Sequence, residues 1–203
     1  MRYSESHKAE THQKLLKIAS RALREKGPDD LAVAEVMKEA GLTHGGFYAH
    51  FKSKDALLAE TLDRIFTRAG VNVDKMTDGL PPRHALATYV DFYVSSRHRD
   101  NPSTGCPITA INSDMPRQSK KFRETFDDGV KSLVARIANW LAASGHSNPE
   151  ALAASVLSAM AGAVAVSRAV SDKGLSDEML EAARVGIKAR LGVSDVDLSR
   201  SVN

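Results

Sequence analysis

One short segment, residues 41–57, concentrates side chains suited to contacting nucleic acid; it reads GLTHGGFYAHFKSKDAL. Thr43 and His44 open a predicted short helix, where free backbone N–H groups favour phosphate. Gly45 and Gly46 carry no side chains, so the backbone can approach base edges or sugars closely. The segment then supplies a phenol, an imidazole and two ammonium groups, which are suitable phosphate partners: Tyr48, His50, Lys52 and Lys54.

The two adjacent glycines have a cost, because each weakens a helix by about 1 kcal/mol relative to alanine. We interpret the loss of helix stability as tolerated because glycine lets the backbone approach a partner closely. Alternatives are packing alone for Tyr48 and a solvated charge for Lys52. His44 and His50 have no third metal ligand nearby in the sequence, so we expect no metal site. We find no cofactor motif and expect no cofactor.

A helix-turn-helix would position these groups. Helices are predicted over 32–40 and 43–50, joined by a turn at Gly41, and these are the dimensions of that motif. The second helix would enter a major groove with its N-terminal end. Five apolar residues are expected to form the small core that fixes the angle between the helices: Val36, Ala40, Leu42, Phe47 and Phe51.

The rest of the chain also shows helical periodicity, without a strand pattern or an internal repeat, so the predicted fold is all-α. The remaining helices are predicted over 7–26, 54–70, 83–98, 107–114, 117–144, 149–172 and 175–191. The charge is uneven. Residues 1–54 hold ten lysines and arginines against seven aspartates and glutamates, whereas the remainder is balanced. A basic N-terminal segment favours an anionic partner.

Composition excludes several classes of protein. We find no apolar run of 18 residues and no signal peptide, so we expect a cytoplasmic protein with no membrane partner. One cysteine among 203 residues excludes an intramolecular disulfide. No nucleophile elbow, phosphate-binding loop or dinucleotide fingerprint is present, so we expect no enzyme.

The segment GLTHGGFYAHFKSKDALL, preceded by AVAEVMKEA, closely resembles the DNA-binding signature of the TetR/AcrR family of transcriptional regulators. The resemblance implies a homodimer that binds a palindromic double-stranded operator. It also implies an N-terminal three-helix DNA-binding domain joined to a C-terminal helical bundle for ligand binding and dimerisation. We assign the domains to residues 1–54 and 55–192, with a disordered tail over 193–203.

Carried over by position, the resemblance implies roles for individual residues. His44, Gly45 and Gly46 would face bases, and Thr43 would start the recognition helix. Ala34, on the preceding helix, would also lie near DNA. Four residues would face the DNA backbone: Tyr48, Ala49, His50 and Lys54. Ala49 replaces a residue that is often larger in the family, so one backbone contact would be missing.

The last two predicted helices are rich in alanine, which permits close helix packing. The resemblance implies that they form a four-helix bundle with a second subunit; the alternative is an ordinary core within one chain. The interface candidates are Val156, Met160, Ala161, Val164, Ala183 and Ile187. Candidates for an effector pocket are aromatic and methionine side chains, which are also common core residues: Tyr89, Phe92, Tyr93, Phe126, Trp140 and Met160.

Cys106 precedes a predicted helix that begins at Pro107. The helix N-terminus, with Arg97, His98 or Arg99 nearby, would favour a reactive thiolate. Some TetR-type regulators that sense quinones, aldehydes or hypochlorous acid look similar; a buried, inert thiol is the alternative. We predict a repressor released by a small-molecule or electrophile effector. An activator with the same fold, or an enzyme pairing Cys106 with His98 or His84, is the alternative.

Overall fold

The structure is a computed structural model that describes residues 2–194, with side chains from residue 5 onward. Its described residues contain α-helices and short 3₁₀ segments and no strand, which confirms the all-α prediction. The α-helices are α1 (Arg2–Lys26), α2 (Val33–Glu39), α3 (Lys54–Thr77), α4 (Pro82–Tyr93), α5 (Ser96–Asp100), α6 (Ile108–Ile111), α7 (Lys120–Ala143), α8 (Pro149–Ala169) and α9 (Lys173–Arg190). The 3₁₀ segments are His44–Ala49, Pro102–Thr104 and Met115–Arg117.

The chain forms two compact units. Unit 1 is the chain up to Arg68 together with Pro102–Gly129, and unit 2 is Ala69–Asn101 together with the chain from Val130 onward. The predicted domain division at residue 54 stays a prediction. Most of the predicted tail, 195–203, lies outside the described residues, whereas Val193 is fully buried.

The core of unit 1 is built on α1. Leu15, Ala19 and Leu23 recur every four residues and are completely buried, because this spacing places them on one face of the helix. Gly27 then ends the helix with a φ of 81°. Leu57 and Leu62 of α3 are also completely buried. Helices α1 and α3 therefore supply much of the apolar core of the unit that contains α2 and the 3₁₀ segment His44–Ala49.

Unit 2 departs from the predicted helix over 83–98. That stretch forms α4 and the separate α5, with a break at Val94 and Ser95. The Ser95 hydroxyl accepts a hydrogen bond from the backbone N–H of His98, at 3.2 Å, and so caps a new helix.

Helix α8 bears on the expectation that the chain has no membrane-spanning segment. By length and composition it could cross a membrane, with a mean hydropathy of 1.6 in its most apolar window. Its composition has another explanation within the chain. Val156, Met160 and Val164 are buried in unit 2, so part of this apolar surface belongs to the core of a folded domain.

Candidate nucleic-acid interface

The turn between α2 and the recognition segment, His44–Ala49, is fixed by backbone hydrogen bonds. Gly41 has a φ of 79°, which favours glycine, as the sequence predicted. Its N–H donates to the carbonyl of Lys38 at 3.0 Å, and that of Leu42 donates to Met37 at 2.9 Å. These two bonds form a Schellman motif, which ends α2 sharply and sets the direction of the next segment.

The recognition segment is a 3₁₀ helix rather than the predicted α-helix over 43–50. Phe47 and Phe51 are each 3% exposed and anchor it, as the sequence predicted. Their rings stack with centroids 5.6 Å apart. Leu42 was expected in the same core but is 36% exposed. Leu42 is the last residue of the Schellman motif, where the chain leaves α2, and the core does not cover its side chain.

The two adjacent glycines are not required by the chain's own packing. A Cβ added to Gly45 would meet nothing within 4 Å in the described part of the chain. At Gly46 it would meet Met37 Cε at 3.5 Å, which is an ordinary contact. Neither glycine has a positive φ. Neither steric crowding within the described chain nor backbone conformation therefore explains glycine at these two positions.

The structure brings the predicted DNA-binding residues together on unit 1. Tyr48 has 71% of its surface exposed, a large fraction for an aromatic side chain. Gly46, His50 and Lys54 are partly buried, and the other candidates are exposed: Ala34, Thr43, His44, Gly45, Ala49 and Lys52. Lys54 Nζ donates to the carbonyl oxygen of Asp29 at 2.9 Å, so its ammonium braces the α1–α2 turn as well.

Several cations of the basic N-terminal segment hold α2 in place. Lys14 Nζ donates to the carbonyl of Ala40 at the C-terminal end of α2, at 2.8 Å. Arg21 and Lys26 pair with Glu39 and Glu35 of α2 at 2.7 and 2.6 Å. The charge count alone missed this role, because it depends on how α1 crosses α2.

A cavity of about 360 Å³ lies between the first turns of α1 and the end of the recognition segment. Its lining is Glu5, Lys8, Ala9, His12, Gln13, Ala49 and His50. Burial lowers the pKa of His50, and the nearby His12 and Lys8 lower it further. Sequence reasoning found only Ala49 and His50 of this set.

Two family models match the chain. The model for bacterial regulatory proteins of the tetR family matches residues 15–61, which include both elements of the helix-turn-helix. The model described as the C-terminal domain of LmrA/YxaF-like transcriptional regulators matches residues 82–182. The chain belongs to the TetR/AcrR family.

Individual relatives agree with this assignment. The HTH-type transcriptional regulator YvdT of Bacillus subtilis is 28% identical over 134 residues, which is 63% of this chain and 68% of YvdT. The HTH-type transcriptional repressor NemR of Escherichia coli is 19% identical over 65% of this chain and 67% of NemR. The crystal structure of reduced E. coli NemR covers 88% of this chain and 96% of its own, with a TM-score of 0.75 and 20% identity. It shows the same fold, and this chain is a TetR-type DNA-binding transcriptional regulator.

The predicted pocket aromatics of this TetR-family chain fall into different places. Tyr89 lies between Tyr93 and Trp140, with ring centroids 5.7 and 5.8 Å away, in unit 2. Met160 is completely buried in the same unit. Phe92 is 45% exposed. Phe126 belongs to unit 1 and packs edge-on against Phe66 at 5.9 Å. An effector pocket lined by all six stays a prediction.

Cys106 is partly buried and lies in unit 1, together with the DNA-binding helices. The helix after it, α6, has only four residues, too short for the predicted helix-terminus effect. The guanidinium of Arg24 on α1 is close. Its Nη1 lies 3.4 Å from the carbonyl oxygen of Gly105. Burial lowers the pKa of Arg24, and the Cys106 thiol opposes that shift.

Two of the three residues that the sequence placed beside Cys106, His98 and Arg99, contact other groups in unit 2. Burial lowers the pKa of His98, and its Nδ1 lies 2.7 Å from the carbonyl of Tyr93. Arg99 is 3% exposed and pairs with Asp100 and Asp177 at 2.7 and 2.6 Å. Among the described residues, Arg24 is a cation that lies close enough for the Cys106 thiol to affect its pKa.

The predicted interface residues face inward. Val156, Met160, Ala161, Val164 and Ile187 are at most 6% exposed within the single chain, and Ala183 is half-buried. A side chain buried in its own chain has little surface left for a partner. The five buried residues therefore pack the core of unit 2, and an interface on α8 and α9 stays a prediction.

Proposed function

We propose that this regulator is a cytoplasmic repressor that binds a palindromic operator as a homodimer and leaves it when an effector binds. The observation that supports operator contact through the recognition segment is that the chain's own packing does not require glycine at positions 45 and 46. Glycines that the fold does not require let the backbone approach DNA closely. With no side chains at two base-facing positions, sequence readout relies partly on DNA shape.

The test is binding of the purified protein to the DNA immediately upstream of its own gene. It is measured at two salt concentrations, against a scrambled duplex of equal length. We expect specific binding that weakens as salt rises, because phosphate contacts release counterions. Transcription from the same DNA in vitro then separates a repressor from an activator. Equal affinity for the two duplexes would contradict the proposal for this operator.

A homodimer places two recognition segments about one DNA turn apart (roughly 34 Å). The exposed faces of α8 and α9 support this assembly. Val166 and Val185 are 49% and 53% exposed, although they are apolar. Gly162 and Gly186 would meet nothing within 4 Å if a Cβ were added, so two such faces can pack closely.

Cys106 is the proposed effector site for electrophiles such as quinones or aldehydes. The thiolate is the nucleophile, and the Arg24 cation stabilises it. The Sγ thiolate bonds to an electron-poor carbon of the quinone or aldehyde, the C=C or C=O π bond breaks, and the resulting oxyanion takes a proton from water. The added group needs space beside Arg24 of α1, and the resulting displacement would move α1 and the elements it braces. A shift of a few kcal/mol between two states is enough to release DNA.

Two variants test this sensor. Cys106→Ser is expected to bind DNA normally and to stay bound when quinone is added. Arg24→Gln is expected to slow alkylation of Cys106 by iodoacetamide, and Lys17→Gln, an exposed α1 change, serves as its control. Release of the Cys106→Ser protein by quinone would exclude the thiol and direct attention to reversible ligands. His98 is buried against Tyr93, which supports a chain without a Cys–His catalytic pair.

A further inference from the structure

The cavity between α1 and the recognition segment contains an unsatisfied polar atom. His50 Nδ1 is buried and has no hydrogen-bond partner among the described residues. Leaving such an atom unpaired costs about 1–3 kcal/mol. The surrounding side chains hold the site in shape. His12 stacks on Phe51 at 4.6 Å, and its Nε2 lies 2.5 Å from Glu60 Oε1 on α3.

The charges around the cavity favour an anion. Lys8 is exposed and has no ion-pair partner among the described residues. The His12 ring centroid lies 6.0 Å from that of His50, and the Nε2 atom of His12 is engaged by Glu60 Oε1 on α3. Glu5 is the one carboxylate in the lining. It lies one helical turn before Lys8, and its effect opposes that of the ammonium.

The position of the cavity indicates which anion. Ala49 and His50 line it, and both directly follow the exposed Tyr48. The short side chain of Ala49 leaves room at this point. DNA lying against the recognition segment would bring its sugar-phosphate backbone to the mouth of the cavity.

We propose that this cavity is a phosphate subsite for the operator backbone, in which the Lys8 ammonium and the His50 Nδ1–H both donate to one phosphodiester. This proposal rests on the proposed DNA-binding function and extends the DNA contacts to the first turns of α1. Lys8 supplies the charge, and His50 supplies direction because its ring is partly buried. The phosphate in turn satisfies the buried Nδ1.

A proton accompanies this contact. In the free protein, burial, His12 and Lys8 favour neutral His50, whereas a phosphate favours the imidazolium. Binding then takes up a proton, and affinity rises as pH falls toward the pKa of free His50. The groups that face or adjoin His50 are Lys8, His12 and Glu5 from α1 and, through His12, Glu60 from α3.

The experiment measures fluorescence anisotropy of the upstream duplex with the full-length protein over a salt series. Lys8→Gln is expected to lower affinity about tenfold at 0.1 M salt and to reduce the log–log salt slope by about 1. Glu5→Gln is expected to raise affinity. His50→Gln is expected to lose the pH dependence, with thermal melting as a check on its folding. Lys17→Gln is the matched control, since Lys17 follows Lys8 by nine positions on α1 and therefore lies on the opposite face of the helix.

Each outcome supports the subsite or overturns it. If the wild type binds the upstream duplex specifically and Lys8→Gln has the same salt slope as Lys17→Gln, the phosphate subsite is wrong, whereas the proposed DNA-binding function is supported. If the wild type shows no specific binding, both are overturned. Thermal melts with inorganic phosphate replacing chloride at equal ionic strength test whether the cavity binds a free phosphate ion instead of the DNA backbone. Stabilisation by phosphate that Lys8→Gln abolishes, without any change in the DNA slope, would assign the cavity to a free anion and overturn the proposal.

Discussion

Gly129 on α7 and Gly45 in the recognition segment serve opposite purposes. A Cβ on Gly129 would lie 2.1 Å from Cδ2 of Phe66, so the chain's own packing requires glycine there. A Cβ on Gly45 would meet nothing within 4 Å. Packing inside unit 1 explains the first glycine, and we propose that the approach of DNA explains the second.

The same distinction applies to α8 and α9. Gly162 and Gly186 face open space, as Gly45 does, and each lies on a helix whose opposite face is buried. An exposed glycine within a helix lowers its stability, so a compensating contact is expected. In unit 1 we assign that contact to DNA, and in unit 2 to a second copy of the chain.

The largest effect is expected from a charge at the proposed dimer interface. Gly162→Glu places a carboxylate where two copies meet, and an uncompensated buried charge costs about 3–5 kcal/mol. Sedimentation should show a folded monomer, and DNA affinity should fall with dimerisation. Ala161→Glu, one residue away but 4% exposed, should instead unfold the chain. A Gly162→Glu protein that remains dimeric at low micromolar concentration would contradict this interface.

Gly129→Ala is expected to have the next largest effect, on folding itself. The added methyl group overlaps the ring of Phe66, which is 7% exposed and has little room to move. Overpacking of this kind costs about 1–3 kcal/mol, although alanine is otherwise the better helix former. Urea unfolding followed by circular dichroism measures the change. The double variant Gly129→Ala, Phe66→Leu should recover part of the loss, and an unchanged midpoint in the single variant would show that the ring moves freely.

Gly45→Ala should give the reverse pattern. The free energy of unfolding is expected to stay the same or to rise by up to about 1 kcal/mol, because open space surrounds the new methyl group. Specific binding to the upstream duplex should weaken by about 1–3 kcal/mol, the size of a lost base contact. Anisotropy and urea unfolding on the same preparation separate the two effects. Unchanged DNA affinity would remove the reason we give for glycine at this position.

The sequence predicted the helix-turn-helix because its evidence is local. The spacing of Phe47 and Phe51 and the glycine at position 41 are visible within one segment, and the structure confirms them. Helix breaks are harder to predict. The periodicity of 83–98 continues through Ser95, and only the capping bond to His98 shows that one helix ends and another begins.

Features that depend on tertiary contacts were not predictable. Small residues occur on both faces of α8, so their spacing does not tell the buried face from the exposed one. The need for glycine at position 129 is not visible in the sequence, because Phe66 lies 63 residues away. The net charge of the first 54 residues suggested an anionic partner, but Lys14, Arg21 and Lys26 are engaged with α2. Only the structure separates these cations from Lys8.

The smallest effect is expected from Lys26→Gln, which tests whether the cations paired with α2 differ in role from Lys8. Its bond to Glu35 lowers the pKa of that carboxyl, so the pair stabilises the fold above the ordinary carboxyl pKa and loses this contribution as pH falls through the lowered value. Lys26→Gln should return the pKa of Glu35 toward its ordinary range, as followed by NMR titration of the side-chain carbon. Both groups are exposed, so the loss of stability at pH 7 should be slight. The DNA salt slope should stay that of the wild type, since Glu35 already neutralises Lys26. If Lys26→Gln reduced the DNA salt slope as much as Lys8→Gln does, the cations that pair with α2 would contribute to DNA binding as Lys8 does, and the distinction between them would be wrong.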